Sequence, residues 1–146
     1  MKYSRAFTMI ELIFVIVVLG ILAAVALPKF SDTRVQADIA KGRADIATIR
    51  AAIVNERQTQ VIKGISTYIT KLSPSTSSTT LFTGDGGTRT LLTYGIKAGT
   101  SSGYWAITSD TVYTYNINGS TNTFTYTPND GKFMCTSGSE CSQLTD

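Results

Sequence analysis

Residues 6–28 of the chain read AFTMIELIFVIVVLGILAAVALP, and this stretch decides the fold. Residues 7–27 are apolar except at three positions, which are Thr8, Glu11 and Gly20. As an α-helix these 21 residues would extend about 31 Å, which matches the roughly 30 Å hydrocarbon core of a bilayer. The sequence therefore predicts a helix that can span a membrane.

The residues on either side of the apolar run predict its orientation. Residues 1–6 are a short polar leader that carries two cations, Lys2 and Arg5. Cationic residues beside a membrane helix stay on the cytoplasmic side. We therefore expect everything after the helix to lie outside the cytoplasm.

Three interpretations of the apolar run compete. The first is a signal peptide, because Ala24-Val25-Ala26 has the small-x-small pattern of a cleavage site that would release the chain after Ala26. The second is a plain membrane anchor. Neither explains Glu11, since an acid at the middle of a membrane helix costs about 2.5–3.5 kcal/mol. The third treats residues 6–12 as a processing and assembly motif.

The motif Ala6-Phe7-Thr8-Met9-Ile10-Glu11-Leu12 resembles that of the type IV pilin and type II secretion pseudopilin superfamily. The resemblance covers roughly the first 60 residues closely. In that family a prepilin peptidase cuts before the Phe and methylates the new amine. The resemblance implies cleavage between Ala6 and Phe7, an N-methylated Phe7, and Glu11 as the assembly acid. Ala6 stands where the family usually has Gly.

The pairing of an amine with Glu11 also has a physical basis. Cleavage would create an amine on Phe7 with an ordinary pKa of about 7.7–8, and burying Glu11 in an apolar filament would be costly without a cation. We expect the Phe7 amine of a neighbouring subunit to supply that cation and to fix the axial register. The alternative is that Glu11 serves its own helix N-terminus, where the helix dipole favours a carboxylate.

Two residues are expected to interrupt this helix, Gly20 and Pro28. Pro28 offers no N–H to the preceding turn and crowds it, at a cost of about 3 kcal/mol, so we expect a kink. In the resembled family the helix is often melted between a Gly and a Pro at this spacing. The sequence leaves open whether residues 20–28 are melted in a filament.

Residues 29–63 continue as an amphipathic helix. Its apolar stripe recurs at steps of four and three residues: Val35, Ile39, Gly42, Ile46, Ile49 and Ile53. We expect this face to pack on the C-terminal region and the charged positions between to contact water; a free-standing coiled coil is the alternative. Seven basic and four acidic residues give 29–63 a net charge of only +3, which favours a solvated face over intrinsic nucleic-acid binding.

The C-terminal half has a different character. Of residues 73–146, 28 are Ser or Thr, and the net charge is −2. Alternating patterns at 104–108, 112–117 and 123–127 predict an antiparallel meander, with a fourth strand at 132–135. Asn118-Gly119 predicts a hairpin turn, which we prefer to the glycosylation sequon that Asn118-Gly119-Ser120 also matches. The polar segments 72–80 and 83–88 are predicted to be connectors that build no core.

These patterns predict an α+β fold: a long N-terminal α-helix, transmembrane in its first half and amphipathic in its second, packed on a small C-terminal antiparallel β-sheet head. We divide the chain into a leader (1–6), a transmembrane and assembly helix (7–28), an amphipathic helix with the start of a connector (29–72), and an exported β-rich head (73–146).

The chain has no histidine and only two cysteines, which excludes Ser-His-Asp and Cys-His nucleophiles and a four-ligand zinc cage. In an exported chain Cys135 and Cys141 are predicted to form a disulfide. Four residues could offer oxygens to calcium: Asp85, Asp110, Asn129 and Asp130. Turn formation explains them equally well, so we assign no metal ligands and expect neither a cofactor nor an enzyme.

Residues and resemblance together imply a structural subunit that polymerises through its N-terminal helix into a type IV pilus or a type II secretion-like pseudopilus. The implied partners are copies of itself, minor pilins, the prepilin peptidase and an inner-membrane assembly platform. The chain would first span the inner membrane with its head in the periplasm. Secretion, adhesion or motility, and DNA uptake all stay open, as does a major or minor role. The alternative is a soluble exported binding protein released after Ala26.

Overall fold

The structure, a computed structural model, describes residues 7–145. The chain divides into two compact units, one ending at Gln36 and the other beginning at Ala37. One long helix, α1 (Met9–Ile62), contributes residues to both. The elements that follow it are β1 (Thr80–Leu81), β2 (Ile96–Lys97), β3 (Trp105–Ser109), β4 (Val112–Ile117), β5 (Ser120–Thr127), β6 (Lys132–Ser137) and α2 (Cys141–Thr145).

The backbone of α1 is helical at Gly20 and through Pro28. The predicted kink at these residues, and the melting of residues 20–28 in a filament, stay predictions.

The sheet in the second unit is the predicted meander. Its four strands lie in the order β3-β4-β5-β6, and every neighbouring pair is antiparallel. Between β4 and β5, Asn118 and Gly119 have φ values of 48° and 84°. Both values lie in the left-handed region, which a two-residue type I′ hairpin turn requires and which Asn and Gly tolerate best. The α+β architecture and the hairpin are therefore confirmed.

From Ile39 onward the amphipathic stripe of α1 is buried as the sequence predicted, whereas Val35 is half-buried. Ile46, Ile49 and Ile53 are at most 2% exposed, and Ile39 is 5% exposed. Gly42 lies against the sheet, because a Cβ placed there would come within 2.6 Å of Cε1 of Tyr115. A larger side chain in this position would push the helix away from the sheet, so the glycine permits the close approach.

Aromatic side chains fill the space between α1 and the sheet. Seven of them are at most 2% exposed: Phe82, Trp105, Tyr113, Tyr115, Phe124, Tyr126 and Phe133. The Tyr113 hydroxyl donates to Ser73 Oγ (3.2 Å) and the Tyr126 hydroxyl donates to the Ile69 carbonyl (2.8 Å). Burial raises the pKa of both hydroxyls to about 12, so both stay protonated donors at neutral pH.

The prediction that the connectors build no core is wrong. Leu72 and Ser73 at the start of the first connector are fully buried, and so is Phe82 between the two connectors. Ser73 Oγ accepts a hydrogen bond from the Phe82 backbone N–H (3.0 Å), which helps to hold Phe82 at its positive φ of 62°. Segments of irregular backbone thus also contribute side chains to the core, and no alternating sequence pattern predicts which ones.

One arginine fastens this irregular region to α1. Arg89 Nε and Nη2 donate to the two carboxylate oxygens of Glu56 at 2.7 and 2.8 Å. Its Nη1 donates to the Tyr68 carbonyl, and Nη2 also donates to the Thr67 carbonyl, both at 2.9 Å. The Glu56 side chain is 3% exposed and that of Arg89 is 14% exposed. A two-pronged pair of this kind fixes geometry as well as charge.

Candidate assembly site at the N-terminal helix

The first turn of α1 is closed by a reciprocal pair of side chains. Thr8 precedes the helix, and its Oγ1 accepts a hydrogen bond from the Glu11 backbone N–H (3.3 Å). Glu11 Oε2 in return accepts from the Thr8 backbone N–H and from the Thr8 hydroxyl, both at 2.8 Å. This is the capping box that the pattern Thr-x-x-Glu favours, and it satisfies donors that a helix start leaves unpaired.

Glu11 therefore serves its own helix N-terminus in the single chain, which was the alternative left open by the sequence. Both side-chain bonds use Oε2, and Oε1 accepts none from residues 7–145. The carboxylate thus keeps one oxygen available while the other caps the helix. The pairing of Glu11 with a neighbouring Phe7 amine stays a prediction.

The surface around Glu11 is almost wholly apolar. The large apolar side chains of residues 7–25 are between 38% and 79% exposed, and Phe7 itself is 75% exposed. By length and composition alone, α1 is apolar enough to cross a membrane. An exposed apolar surface of this size indicates contact with lipid or with another protein.

Comparisons with known proteins agree on this segment. Residues 1–27 match the family described as the prokaryotic N-terminal methylation motif. A stretch of 49 residues is 47% identical to the type IV narrow pilus major component PilA5 of Thermus thermophilus, over 34% of this chain and 42% of that protein. These matches support the resemblance of the N-terminal part of the chain to the type IV pilin and pseudopilin superfamily.

Two further relatives of this pilin-like chain come from other bacteria. A fimbrial protein of Pseudomonas aeruginosa is 33% identical over 52 residues, which is 36% of this chain and 34% of the relative. The type II secretion system core protein G of Pectobacterium carotovorum is 32% identical over 73 residues, which is 47% of each chain. The chain thus matches less than half the length of these curated relatives. No solved structure shows significant similarity to it.

The predicted processing site lies at the edge of the described residues. Phe7 is the first of them, whereas the leader and Ala6 lie outside. The matched methylation motif agrees with the processing that the resemblance implied. Cleavage between Ala6 and Phe7, and methylation of Phe7, stay predictions.

The predicted disulfide is present in the structure. It joins Cys135 in β6 to Cys141 at the start of α2. Leu144 of α2 is buried, and its Cδ2 would lie 2.7 Å from a Cβ on Gly42. Arg43 Nε donates to the Gln143 carbonyl. The disulfide fastens the C-terminal tail to β6, and Leu144 and Arg43 fasten it to α1.

Two of the four candidate calcium residues, Asp85 and Asp130, have other roles in the structure. Asp85 Oδ1 accepts from the backbone N–H groups of Gly87 (2.8 Å) and Arg89 (3.2 Å). Hydrogen bonds from the Lys132 backbone and side chain hold the pKa of Asp130 below its usual value. Within residues 7–145, no group of three or more His, Cys, Asp or Glu lies close enough to hold a metal ion. Turn formation accounts for Asp85 and Asp130.

Two acids on α1 have a role that the sequence analysis missed. Asp45 Oδ2 accepts from Trp105 Nε1 (3.0 Å), and burial is the main cause that raises the pKa of Asp45. The Asp38 carboxylate accepts from the Ser102 hydroxyl, and its carbonyl accepts from the Tyr115 hydroxyl (2.7 Å). The sequence positions of Asp38 and Asp45 could have indicated this role, because each directly precedes a stripe residue and the two are seven residues apart. Both border the packed face; Asp38 binds Ser102 in the loop before β3, and Asp45 binds Trp105 at the start of β3.

Proposed function

We propose that this protein is a structural, non-enzymatic subunit that polymerises through α1 into a type IV pilus or a type II secretion-like pseudopilus. The observation that carries the proposal is the exposed apolar surface of residues 7–25 with one acid, Glu11, at its start. The relatives support it, because they are named as fimbrial, pilus and secretion-system proteins. The superfamily consists of structural subunits.

In this proposal the apolar surface has two successive partners. The subunit first resides in the inner membrane, with its head in the periplasm and Lys2 and Arg5 in the cytoplasm. Prepilin peptidase then cuts between Ala6 and Phe7, and the Phe7 amine is methylated. The assembly platform passes the mature chain into a filament of its own copies and minor pilins, where neighbouring helices replace lipid.

Glu11 has a part in both states. In the membrane, Oε2 keeps the bonds of the capping box, which lowers the cost of an acid near the bilayer. In the filament, Oε1 accepts a charge-assisted bond from the Phe7 amine of a neighbour. Because a misplaced subunit would leave both charges unpaired in an apolar core, the pair fixes register.

Two variants of Glu11 test this role. Glu11→Val removes both the cap and the charge, whereas Glu11→Gln keeps a capping oxygen and removes only the charge. We expect both variants to lose sheared-filament yield and to keep wild-type abundance in the membrane fraction. Asp32→Asn, an exposed acid later on α1, is the control and should assemble normally.

The outcomes separate the two roles of Glu11. Normal filament yield from Glu11→Gln alone would leave capping as the only role of the residue. Normal yield from both variants would remove Glu11 from the assembly mechanism altogether.

The mature N-terminus distinguishes this proposal from a released, soluble protein. We expect intact mass and N-terminal sequencing to place the mature start at Phe7, with the added mass of one methyl group. A start at Leu27 and a product in the soluble fraction would establish the signal-peptide interpretation instead.

A further inference from the structure

A cleft of about 550 Å³ lies in the second unit, between the last turns of α1 and residues 88–93. Its volume falls in the range of about 300–1,000 Å³ that small-molecule sites occupy. On one side it is lined by a face of α1 that includes Asn55, Glu56 and Gln60, and by Lys63 just after the helix. The other side is irregular backbone rich in threonine. Nothing in the filament proposal uses this cleft.

Gln60 is the unusual residue in the cleft. It is only 6% exposed, yet its side-chain amide forms no hydrogen bond with any described residue. A fully enclosed amide of this kind would carry a large penalty. Among the described residues, no fully enclosed side-chain nitrogen or oxygen lacks a partner, so the amide of Gln60 must reach the open space of the cleft. A buried amide facing a cavity is a ready donor and acceptor for a ligand.

The electrostatics of the cleft favour a neutral ligand. Both oxygens of Glu56 are bound by Arg89, so this carboxylate is compensated. A cation would meet Lys63, which lines the cleft and repels it. An anion would meet the carbonyl end of α1, where the helix dipole is unfavourable to negative charge. The remaining polar groups are amides and hydroxyls, which are neutral.

The polar groups of the cleft are also of the kind that binds hydroxyls. Amides and threonine hydroxyls both donate and accept, as sugar hydroxyls do. Thr88, Thr90 and Thr93 supply such hydroxyls, while Leu91 and Leu92 supply an apolar wall for the C–H face of a ring. Tyr94 directly follows the lining residue Thr93 and is 90% exposed, an unusual position for an aromatic side chain.

We propose that this cleft binds a neutral saccharide unit, with the side-chain amide of Gln60 at its centre. The site lies wholly within the second unit and does not depend on filament assembly. A filament with such a site on each subunit would present it many times over, so weak binding by each copy would add up to avidity.

The test uses the full-length protein in a zwitterionic detergent without a sugar headgroup. The probes are glucose, galactose, mannose and N-acetylglucosamine at millimolar concentrations, with glucuronate as the charged comparison. The readouts are saturation transfer to the sugars and the shift of the Gln60 side-chain amide signal. We expect at least one neutral sugar to bind and to shift that signal.

Matched variants identify the site. Gln60→Met keeps the size of the side chain and removes the amide, and it should weaken sugar binding at least about tenfold. Gln58→Met, at an exposed glutamine that does not line the cleft, should bind like wild type. Thr90→Val removes one lining hydroxyl without changing shape and should weaken binding about threefold or more. It is informative even if Gln60→Met does not fold.

Three results would overturn the proposal. They are the absence of binding by all four neutral sugars, equal sugar binding by wild type and the folded cleft variants, and glucuronate binding tighter than any neutral sugar. The last would identify an anion site.

Discussion

The two units of this chain differ in how far their apolar side chains are exposed. In the first, the large apolar residues of 7–25 are 38–79% exposed. In the second, the seven core aromatic side chains are at most 2% exposed. Burial of apolar surface is the main favourable term in folding. The second unit therefore has its own source of stability, whereas the first must obtain the equivalent burial from lipid or from another protein.

The strongest test of this difference replaces the same residue type in each unit. Phe124→Ala removes a fully buried ring, and we expect it to lower the free energy of unfolding by about 3–5 kcal/mol. Phe14→Ala removes a ring that is 69% exposed and should leave that free energy unchanged. Trp105 is the only tryptophan, so its fluorescence reports denaturant unfolding of the second unit in detergent-solubilised full-length protein. Equal effects of both variants would contradict the separation.

The disulfide variant is expected to have a smaller effect, within the second unit. Cys141→Ser opens a short loop and should lower the free energy of unfolding by about 2–3 kcal/mol. Because Leu144 is seated beside Gly42, the loss should appear first as faster amide hydrogen exchange in α2, while α1 stays protected. Detection of two free thiols in the denatured, non-reduced wild-type protein would show that the bond is absent from the purified protein.

The smallest effect concerns pH. Burial raises the pKa of Asp45 above the ordinary value of 3.8, so the folded state holds this proton to higher pH than the unfolded state. Stability from this group is therefore present at low pH and declines as pH rises through the window above 3.8. Asp45→Asn keeps an acceptor for Trp105 and removes the titration.

The measurement for Asp45 is the unfolding free energy of wild type and variant across mildly acidic pH. We expect the value for wild type minus that for Asp45→Asn to fall as pH rises through that window. A difference that stays constant or rises would mean that Asp45 is not destabilised by burial. Membrane-fraction abundance, which depends on residues 7–27, should not change between the two proteins.

The elements with a strong periodic pattern were predictable from the sequence. The stripe from Ile39 to Ile53 and the alternation in β4 and β5 each repeat a simple rule, and the structure follows them. The stripe also continues at the same steps to Glu56 and Gln60, which are buried. Because only apolar residues were expected at buried positions, the predicted stripe ended at Ile53. The ion pair of Glu56 with Arg89 and the cleft beside Gln60 were therefore not predicted.

The irregular region between α1 and β3 was not predictable in the same way. Its buried residues, such as Leu72 and Phe82, have no period, because their positions depend on single contacts distant in sequence. From the sequence, Arg89 would be predicted to be an exposed surface charge, whereas the structure pairs it with Glu56. At the candidate site, the Thr-x-x-Glu spacing of Thr8 and Glu11 was enough to predict the capping box. The apolar surroundings of Glu11 instead favoured a prediction of pairing between subunits.

The clamp made by Arg89 has a consequence for how the sequence of this region can change. It ties residues 67–68 and its own loop to Glu56, although only β1 and β2, two residues each, give this region regular structure. Because a few contacts hold this region in place, only the few residues that make them are constrained in sequence. The serines of 75–78 bond chiefly with one another on the surface. Insertions and substitutions should therefore accumulate there, so that the outward face of the head can diversify while its attachment to the helix is kept.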